Sequence, residues 1–228
     1  MMLYLRNWAF AAVFYGLSVP IVLGASVAAL LGAPALRWYV HAWVGFHRIC
    51  ARIFLGIRIR VEGKPPPGPA LFAAKHQSLF ETFELTHMLG GASIVMKQEL
   101  ASIPVWGWAA KRYGHIVIDR AGAAKALRGM MAAGERARAE GRSVVIFPEG
   151  TRVPPGQQPP LQPGFAGLYR ALGLPIVPVA LDSGVTYRRR GLKRPGVVTF
   201  RFGEPLPPGV PRKELEAYIH AQINVLER

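Results

Sequence analysis

The most constraining feature of this sequence is an uncharged apolar run near its N-terminus. No Asp, Glu, Lys or Arg occurs from Asn7 to Leu36, a stretch of 30 residues. As one helix, the run would measure about 45 Å, whereas the hydrocarbon core of a bilayer is about 30 Å thick. It can therefore span a membrane with tilt. Because Pro20 lies near its middle and each half is too short to span, a helical hairpin that dips into one leaflet is the alternative.

The length and flanks of the run also bear on two other interpretations and on topology. One alternative is a buried core helix, which the length of the run disfavours. The other is a cleaved signal peptide ending near Ala33-Pro34-Ala35, which is also disfavoured because the apolar core of a signal peptide has only about 7–15 residues. Five arginines occur in 37–60, whereas Arg6 alone precedes the run. This positive-inside bias predicts that the rest of the chain faces the cytoplasm.

Residues 37–55 are predicted to continue as a helix. Trp38, Trp43, Phe46 and Phe54 occur there among basic residues. This mixture is typical of a helix that lies at a membrane interface. Packing against the main domain is the alternative.

Seven short β-rich runs follow, with helical stretches between most of them. Strands that are apolar on both faces and alternate with helices predict an α/β domain with a mostly parallel central sheet of about seven strands, flanked by helices. We therefore divide the chain into a membrane-anchoring helical segment, 1–56, and an α/β domain, 57–228. The clearest helix is 121–140, and an amphipathic helix is predicted from Pro211 onwards. The predicted strands are 57–61, 70–74, 93–96, 115–118, 143–147, 175–181 and 197–202.

Charge and cysteine content restrict the partners of the chain. A formal net charge of +15 favours an anionic partner, such as nucleic acid, an anionic membrane face or a phosphorylated or CoA-like substrate. No nucleic-acid-binding module is recognisable, so we expect no nucleic-acid partner. Cys50 is the only cysteine, which excludes a disulfide framework within one chain and indicates a reducing compartment. The histidines form no convincing metal-ligand cluster, so we expect no metal.

Polar residues follow three of the predicted strands, 70–74, 115–118 and 143–147, at the strand ends where ligands bind in parallel sheets. His76 follows the strand 70–74, and Glu81 comes five positions later. A carboxylate on one imidazole nitrogen fixes the tautomer and leaves the other nitrogen free to act as a base. A structural histidine is the alternative interpretation of His76. Gly150, Thr151 and Arg152 follow the strand 143–147 and suit close approach to a phosphate.

Four ordered blocks of the sequence resemble those of the glycerolipid acyltransferase family. They cover about 61–179, which is most of the chain beyond the apolar run. The first block commonly has Asp where Glu81 stands, and because Glu differs by one methylene we expect an active variant. The blocks are Lys75-His76-Gln77-Ser78-Leu79-Phe80-Glu81-Thr82, Gly114…Asp119-Arg120, Phe147-Pro148-Glu149-Gly150-Thr151-Arg152 and Ile176-Val177-Pro178-Val179.

The resemblance implies a role for each block. His76 is expected to be the general base, with Glu81 as its orienting carboxylate. Val177 and Pro178 are expected to contact the acyl chain or the acyl donor. Backbone N–H groups near Gly150 or in the His76 turn are candidate donors to the oxyanion. The residues implied to bind the substrate phosphate are Lys97, Arg120, Glu149, Gly150, Thr151 and Arg152.

The implied reaction moves a fatty acyl group from acyl-CoA or acyl carrier protein (acyl-ACP) to the sn-2 hydroxyl of 1-acyl-glycerol-3-phosphate, giving phosphatidate without a cofactor. The implied partners are a lysophospholipid, the acyl donor and a bilayer. The implied location is a bacterial-type inner membrane, with the catalytic domain in the cytoplasm. Acylation of another lysolipid, such as a lyso-ornithine lipid, is one alternative. A non-catalytic protein that binds lipid or nucleic acid is another.

Overall fold

A seven-stranded sheet with the order β1-β7-β6-β2-β5-β3-β4 forms the centre of the molecule in a computed structural model, which describes residues 1–118 and 123–227. All seven predicted strands are found, and no end is shifted by more than one residue. The strands are β1 (Ile57–Glu62), β2 (Leu71–Ala74), β3 (Ser93–Lys97), β4 (Ile116–Ile118), β5 (Val144–Ile146), β6 (Ile176–Leu181) and β7 (Gly196–Phe202).

The sheet is mostly parallel, which confirms the predicted fold class. β2 pairs in parallel with β5 and β6, and β3 pairs in parallel with β4 and β5. β7 is antiparallel to β6 and parallel to β1, so two strands at one edge run against the other five. The carboxyl ends of the five parallel strands meet at one edge, where a ligand site is expected.

Helices cover both faces of the sheet. Phe72 and Ala74 of β2 belong to one buried cluster, whereas Leu71 and Ala73 belong to the other, as the alternation of side chains along a strand requires. The helices are α1 (Met2–Phe10), α2 (Gly16–Leu30), α3 (Ala33–Cys50), α4 (Phe80–Met88), α5 (Gln98–Ala101), α6 (Trp106–Tyr113), α7 (Ala123–Ala139), α8 (Gly164–Leu172), α9 (Ser183–Thr186) and α10 (Arg212–Ile223), with π-helical turns at Ala11–Tyr15 and Ala51–Leu55.

The apolar N-terminal run forms one long helix that is followed by a turn. Met2–Leu30 is a continuous helix of 29 residues, long and apolar enough to cross a membrane. Pro20 lies inside it without breaking it, and the chain reverses at Gly32, whose φ of 107° suits glycine. α3 then packs back on α2, with a hydrogen bond from Trp43 to Ser18. A helical hairpin is therefore present, but its turn is at Gly32 and not near Pro20.

The N-terminal helices also contact the α/β domain. Phe10 and Phe14 are buried in the same cluster as strand residues such as Val198. The Asn7 side chain donates to the Lys193 carbonyl at 2.9 Å and accepts from the Lys193 N–H at 2.8 Å. The buried cluster thus crosses the predicted boundary between 56 and 57, because α3 packs on the domain. Exposed apolar side chains remain along the hairpin, including Leu17, Val19, Leu23, Val27, Leu30 and Leu31.

Candidate active site

The turn between β2 and α4 carries a histidine paired with a carboxylate. His76 Nδ1 lies 3.0 Å from Glu81 Oε1, and the His76 side chain is 17% exposed. A carboxylate only accepts hydrogen bonds, so Nδ1 carries the proton in the neutral imidazole and Nε2 keeps its lone pair. The ring also stacks on Phe147, with centroids 4.0 Å apart and planes at 19°. Glu81 and Phe147 together fix the tautomer and the plane of the ring.

Glu81 is buried and surrounded by hydrogen-bond donors. Its Oε1 accepts from His76 and from the backbone N–H groups of Gln77 and Ser78, each of the latter at 2.6 Å. Its Oε2 accepts from the hydroxyls of Ser78 and Ser183, also at 2.6 Å. Burial alone would raise the pKa of this carboxyl, but the hydrogen bonds and charge of His76 and the two hydroxyls lower it below its usual value. Glu81 is therefore ionised at neutral pH and can stabilise an imidazolium at His76.

The backbone N–H groups of this turn are already used within the protein. His76 N–H donates to Glu149 Oε2 at 3.1 Å, and the next two N–H groups donate to Glu81. Gly150 N–H donates to the Phe147 carbonyl at 2.9 Å. These four N–H groups each satisfy an internal acceptor, so the expectation that N–H groups near Gly150 or in the His76 turn stabilise the oxyanion stays a prediction.

Glu149 lies in a buried ionic network behind the turn. Its Oε1 accepts from Lys75 Nζ at 2.6 Å, and both side chains are fully buried. Lys75 also donates to Asn224 Oδ1 and to the Gln157 carbonyl, each at 2.7 Å. Burial raises the pKa of Glu149, and its hydrogen bonds from Lys75 and from His76 N–H partly offset that rise. The structure thus places Glu149 where it holds the His76 backbone, not on the wall that faces a ligand.

A cavity of about 670 Å³ opens in front of His76, at the carboxyl ends of β3 and β5. This volume is in the range of ligand pockets. Cationic side chains occur on one part of its lining: Lys97, Arg152 and Arg189. Much of the remaining lining is apolar, with Glu99 as its only carboxylate among the described residues. The apolar lining residues are Ile94, Val95, Met96, Leu100, Ile118, Met130, Ile146, Phe147 and Phe165.

Comparison with known proteins identifies the family. Residues 57–182, more than half of the chain, match the family model described as Acyltransferase. The chain belongs to the acyltransferase family.

Residues 1–118 and 123–227 contain no group of three or more His, Cys, Asp and Glu placed to hold a metal ion.

Curated relatives support the same family, and a solved structure shares the fold. A 1-acyl-sn-glycerol-3-phosphate acyltransferase of Pseudomonas aeruginosa is 36% identical over 170 residues, which are 73% of this chain and 66% of that protein. One from Chlamydomonas reinhardtii is 30% identical over 151 residues, 64% of this chain and 45% of the relative. The chain thus matches about half to two thirds of the length of these relatives. A Thermotoga maritima 1-acyl-sn-glycerophosphate (LPA) acyltransferase structure, 22% identical, shares the fold with a TM-score of 0.74 over 98% of this chain and 97% of that one.

The candidate site brings together some of the predicted residues and not others. His76, Lys97, Gly150, Thr151 and Arg152 all line the cavity. Arg120 lies outside the described residues, so its predicted contact with phosphate stays a prediction.

The residues predicted for acyl-chain or donor contact occupy another part of the molecule. Val177 and Pro178 are buried in β6, beside Phe72 and Ala73 of β2. Neither residue lines the cavity. Their positions therefore provide no support for such a contact, and the apolar surface in front of His76 comes mainly from β3, β5 and α8.

Three residues at or behind the candidate site were not predicted from the sequence. Lys75 was treated as part of a motif, although it is the centre of the buried network. Ser183 belongs to the segment after β6 and reaches Glu81 across 102 positions of sequence. Arg189 belongs to the basic run Arg188-Arg189-Arg190 and lines the cavity. Of the three, only Arg189 stands in a sequence pattern that could have indicated an anion-binding role, a local excess of positive charge.

Proposed function

We propose that this acyltransferase transfers a fatty acyl group from acyl-CoA or acyl-ACP to the sn-2 hydroxyl of 1-acyl-glycerol-3-phosphate, giving phosphatidate. The observation that carries the proposal is the oriented His76–Glu81 pair on the wall of a cavity that is partly apolar and partly cationic. A lysophosphatidate has the matching parts, an acyl chain and a phosphate. The names of the Pseudomonas and Chlamydomonas relatives support the same acceptor.

In the proposed mechanism, His76 Nε2 takes the proton of the sn-2 hydroxyl as the oxygen attacks the thioester carbonyl. Glu81 stabilises the imidazolium that forms. When the tetrahedral intermediate collapses, the C–S bond breaks and the imidazolium returns its proton to the thiolate. The products are phosphatidate and the free thiol of the carrier, and the enzyme returns to its starting state.

Direct transfer, without an acyl-enzyme, is supported by the state of the Ser78 hydroxyl, two residues after His76 in the sequence. Ser78 is fully buried, and its Oγ donates to Glu81 Oε2 at 2.6 Å. The same Oγ accepts from Phe80 N–H at 3.0 Å. A hydroxyl held in this way cannot leave its partners to attack a thioester without losing the support of Glu81. We therefore assign Ser78 the role of positioning Glu81.

The phosphate of the acceptor is assigned to the cationic part of the cavity. Lys97 at the end of β3 and Arg152 after β5 flank the space in front of His76. Neither side chain has a hydrogen bond or ion pair to residues 1–118 or 123–227. A guanidinium and an ammonium without internal partners are suited to hold a phosphate, which positions the hydroxyl at His76.

The acyltransferase is proposed to act at the cytoplasmic face of a membrane. The support is the long apolar helix Met2–Leu30, the exposed apolar side chains along the hairpin and the arginine bias that follows it. The lysolipid and its product both reside in a bilayer, so a site near the interface shortens their transfer. Protease accessibility of the α/β domain in inside-out and right-side-out vesicles tests this orientation. Cleavage in right-side-out vesicles would contradict it.

The proposal is tested with the purified chain in mild detergent, a long-chain acyl-CoA or acyl-ACP, and a panel of acceptors. His76→Ala should lower kcat by about 10²- to 10⁴-fold, the usual contribution of a general base, while association with vesicles is retained. The matched control is His220→Ala, since His220 lies on α10 and does not line the cavity. Unchanged activity in His76→Ala, or equal rates with a lyso-ornithine lipid that lacks the phosphate, would overturn the proposal.

A further inference from the structure

A second cleft, rich in arginine, opens beside the reaction cavity. Its volume is about 650 Å³, and four arginines line it: Arg152, Arg188, Arg189 and Arg190. Among the described residues of its lining, none is Asp or Glu. Four positive charges in a lining that holds no carboxylate repel one another, and a bound polyanion would relieve that repulsion.

The arginines of the cleft have no ion pair within the described part of the protein, unlike several other arginines. Arg48, Arg201 and Arg212 each pair with a carboxylate at 2.6–2.8 Å. By contrast, no salt bridge joins the four arginines of the cleft to any residue in 1–118 or 123–227. Their guanidinium groups are therefore available to bind phosphate in the bidentate manner that suits them.

The cleft is continuous with the site of the proposed reaction. Arg152 and Arg189 line both the cleft and the reaction cavity. Gln77, the residue after the base, lines the cleft and accepts a hydrogen bond from Gly184 N–H at 2.8 Å. One extended ligand can therefore place a reactive end beside His76 and an anionic end among the arginines.

We propose that this arginine cleft binds the phosphates of a coenzyme A thioester, the pyrophosphate and the 3′-phosphate of its nucleotide. The inference rests on the proposed function and assigns its acyl donor a site. A single small molecule with several phosphates matches the guanidinium groups of Arg188, Arg189 and Arg190, while Arg152, which also lines the reaction cavity, is assigned to the acceptor phosphate. The single phosphate of a lysophosphatidate does not require them, and a lipid surface would be met by a protruding or flat basic face.

The test compares two double variants that remove the same charge. Arg188→Gln with Arg190→Gln changes two arginines that line only the cleft. The control is Arg58→Gln with Arg60→Gln, two exposed arginines of β1 that line neither cavity. In the cleft variant, KM for acyl-CoA should rise about 10- to 100-fold, as loss of charged hydrogen bonds implies, with kcat and KM for lysophosphatidate unchanged. The control should match the wild type.

Titration calorimetry with coenzyme A and with 3′-dephospho-coenzyme A measures binding without turnover. The wild type should bind coenzyme A more tightly than the dephospho form, and the cleft variant should lose most of that difference. Three results would overturn the proposal: a rise in KM for lysophosphatidate alone, a loss confined to acyl-ACP, or a loss confined to binding of anionic vesicles. Wild-type protein that binds coenzyme A but acylates no acceptor would instead refute the proposed function.

Discussion

Replacing Lys75 by Met should destabilise the fold strongly, because the lysine is the cation that joins several buried polar groups. Its Nζ donates at 2.6–2.7 Å to Glu149, Gln157 and Asn224, and it lies 3.3 Å from Glu227. The substitution leaves the buried carboxylates without their counter-ion. Breaking a buried ion pair from one side costs about 3–5 kcal/mol, against a total stability of about 5–15 kcal/mol for typical proteins. The folded-to-unfolded ratio should thus fall by roughly 10²- to 10⁴-fold.

The assay is equilibrium urea unfolding in detergent, followed by the fluorescence of the five tryptophans. With a slope of about 3 kcal/mol per molar urea, the midpoint should fall by about 1–1.7 M. The matched control is Lys64→Met, an exposed lysine in a Pro-rich loop, which should change stability by less than about 0.5 kcal/mol. Adding Glu149→Gln to Lys75→Met should recover part of the loss, since it removes an unpaired buried charge. A Lys75→Met variant as stable as the control would refute the reasoning.

Two further predictions concern Glu81 and His115. Glu81→Gln should lower kcat by about 10²- to 10⁴-fold with little change in KM, because a neutral amide neither fixes the tautomer of His76 nor stabilises its imidazolium. Steady-state kinetics that show kcat within twofold of wild type would contradict this role. Burial, with Arg142 nearby, lowers the pKa of His115 to about 3. The unfolded chain therefore takes up a proton below pH 6.5 that the folded chain does not, and stability falls as pH drops from 6.5 towards 3. Between pH 7 and 5 the wild type should lose about 2 kcal/mol more than His115→Gln in urea unfolding, and equal losses would exclude this contribution.

The strands were predictable from sequence, whereas their directions were not. Runs such as Leu71–Ala74 and Ile176–Leu181 are apolar on both faces because helices cover both sides of the sheet. No local pattern shows that β7 reverses against β6, since side-chain alternation is the same in either direction. The turn of the N-terminal hairpin was wrongly placed near Pro20, because a long helix tolerates one missing N–H while Gly32 can adopt a positive φ.

The site was predictable where its parts are local and missed where they are distant. His76 and Glu81 are five positions apart, so a strand followed by a helix brings them together. Lys75 contacts Asn224 across 149 positions, and no sequence pattern shows that this lysine is buried. Glu149 was predicted to bind substrate because it stands between Pro148 and Gly150 in a polar turn. Only the packing of that turn on Lys75 shows that its carboxylate points inward.

The link between the catalytic turn and residues 224–227 has a consequence for biosynthesis. Gln77 donates to Glu227 Oε1 at 2.6 Å, and Lys75 reaches Asn224, so the turn is held by a segment made about 150 residues later. Contacts of such large sequence separation form late in folding. While the ribosome is still making the chain, its apolar helix can enter the membrane before residues 224–227 exist. At that stage Lys75 lacks Asn224 and Glu227 as partners. The enzyme should therefore be attached to the membrane before its candidate active site is complete.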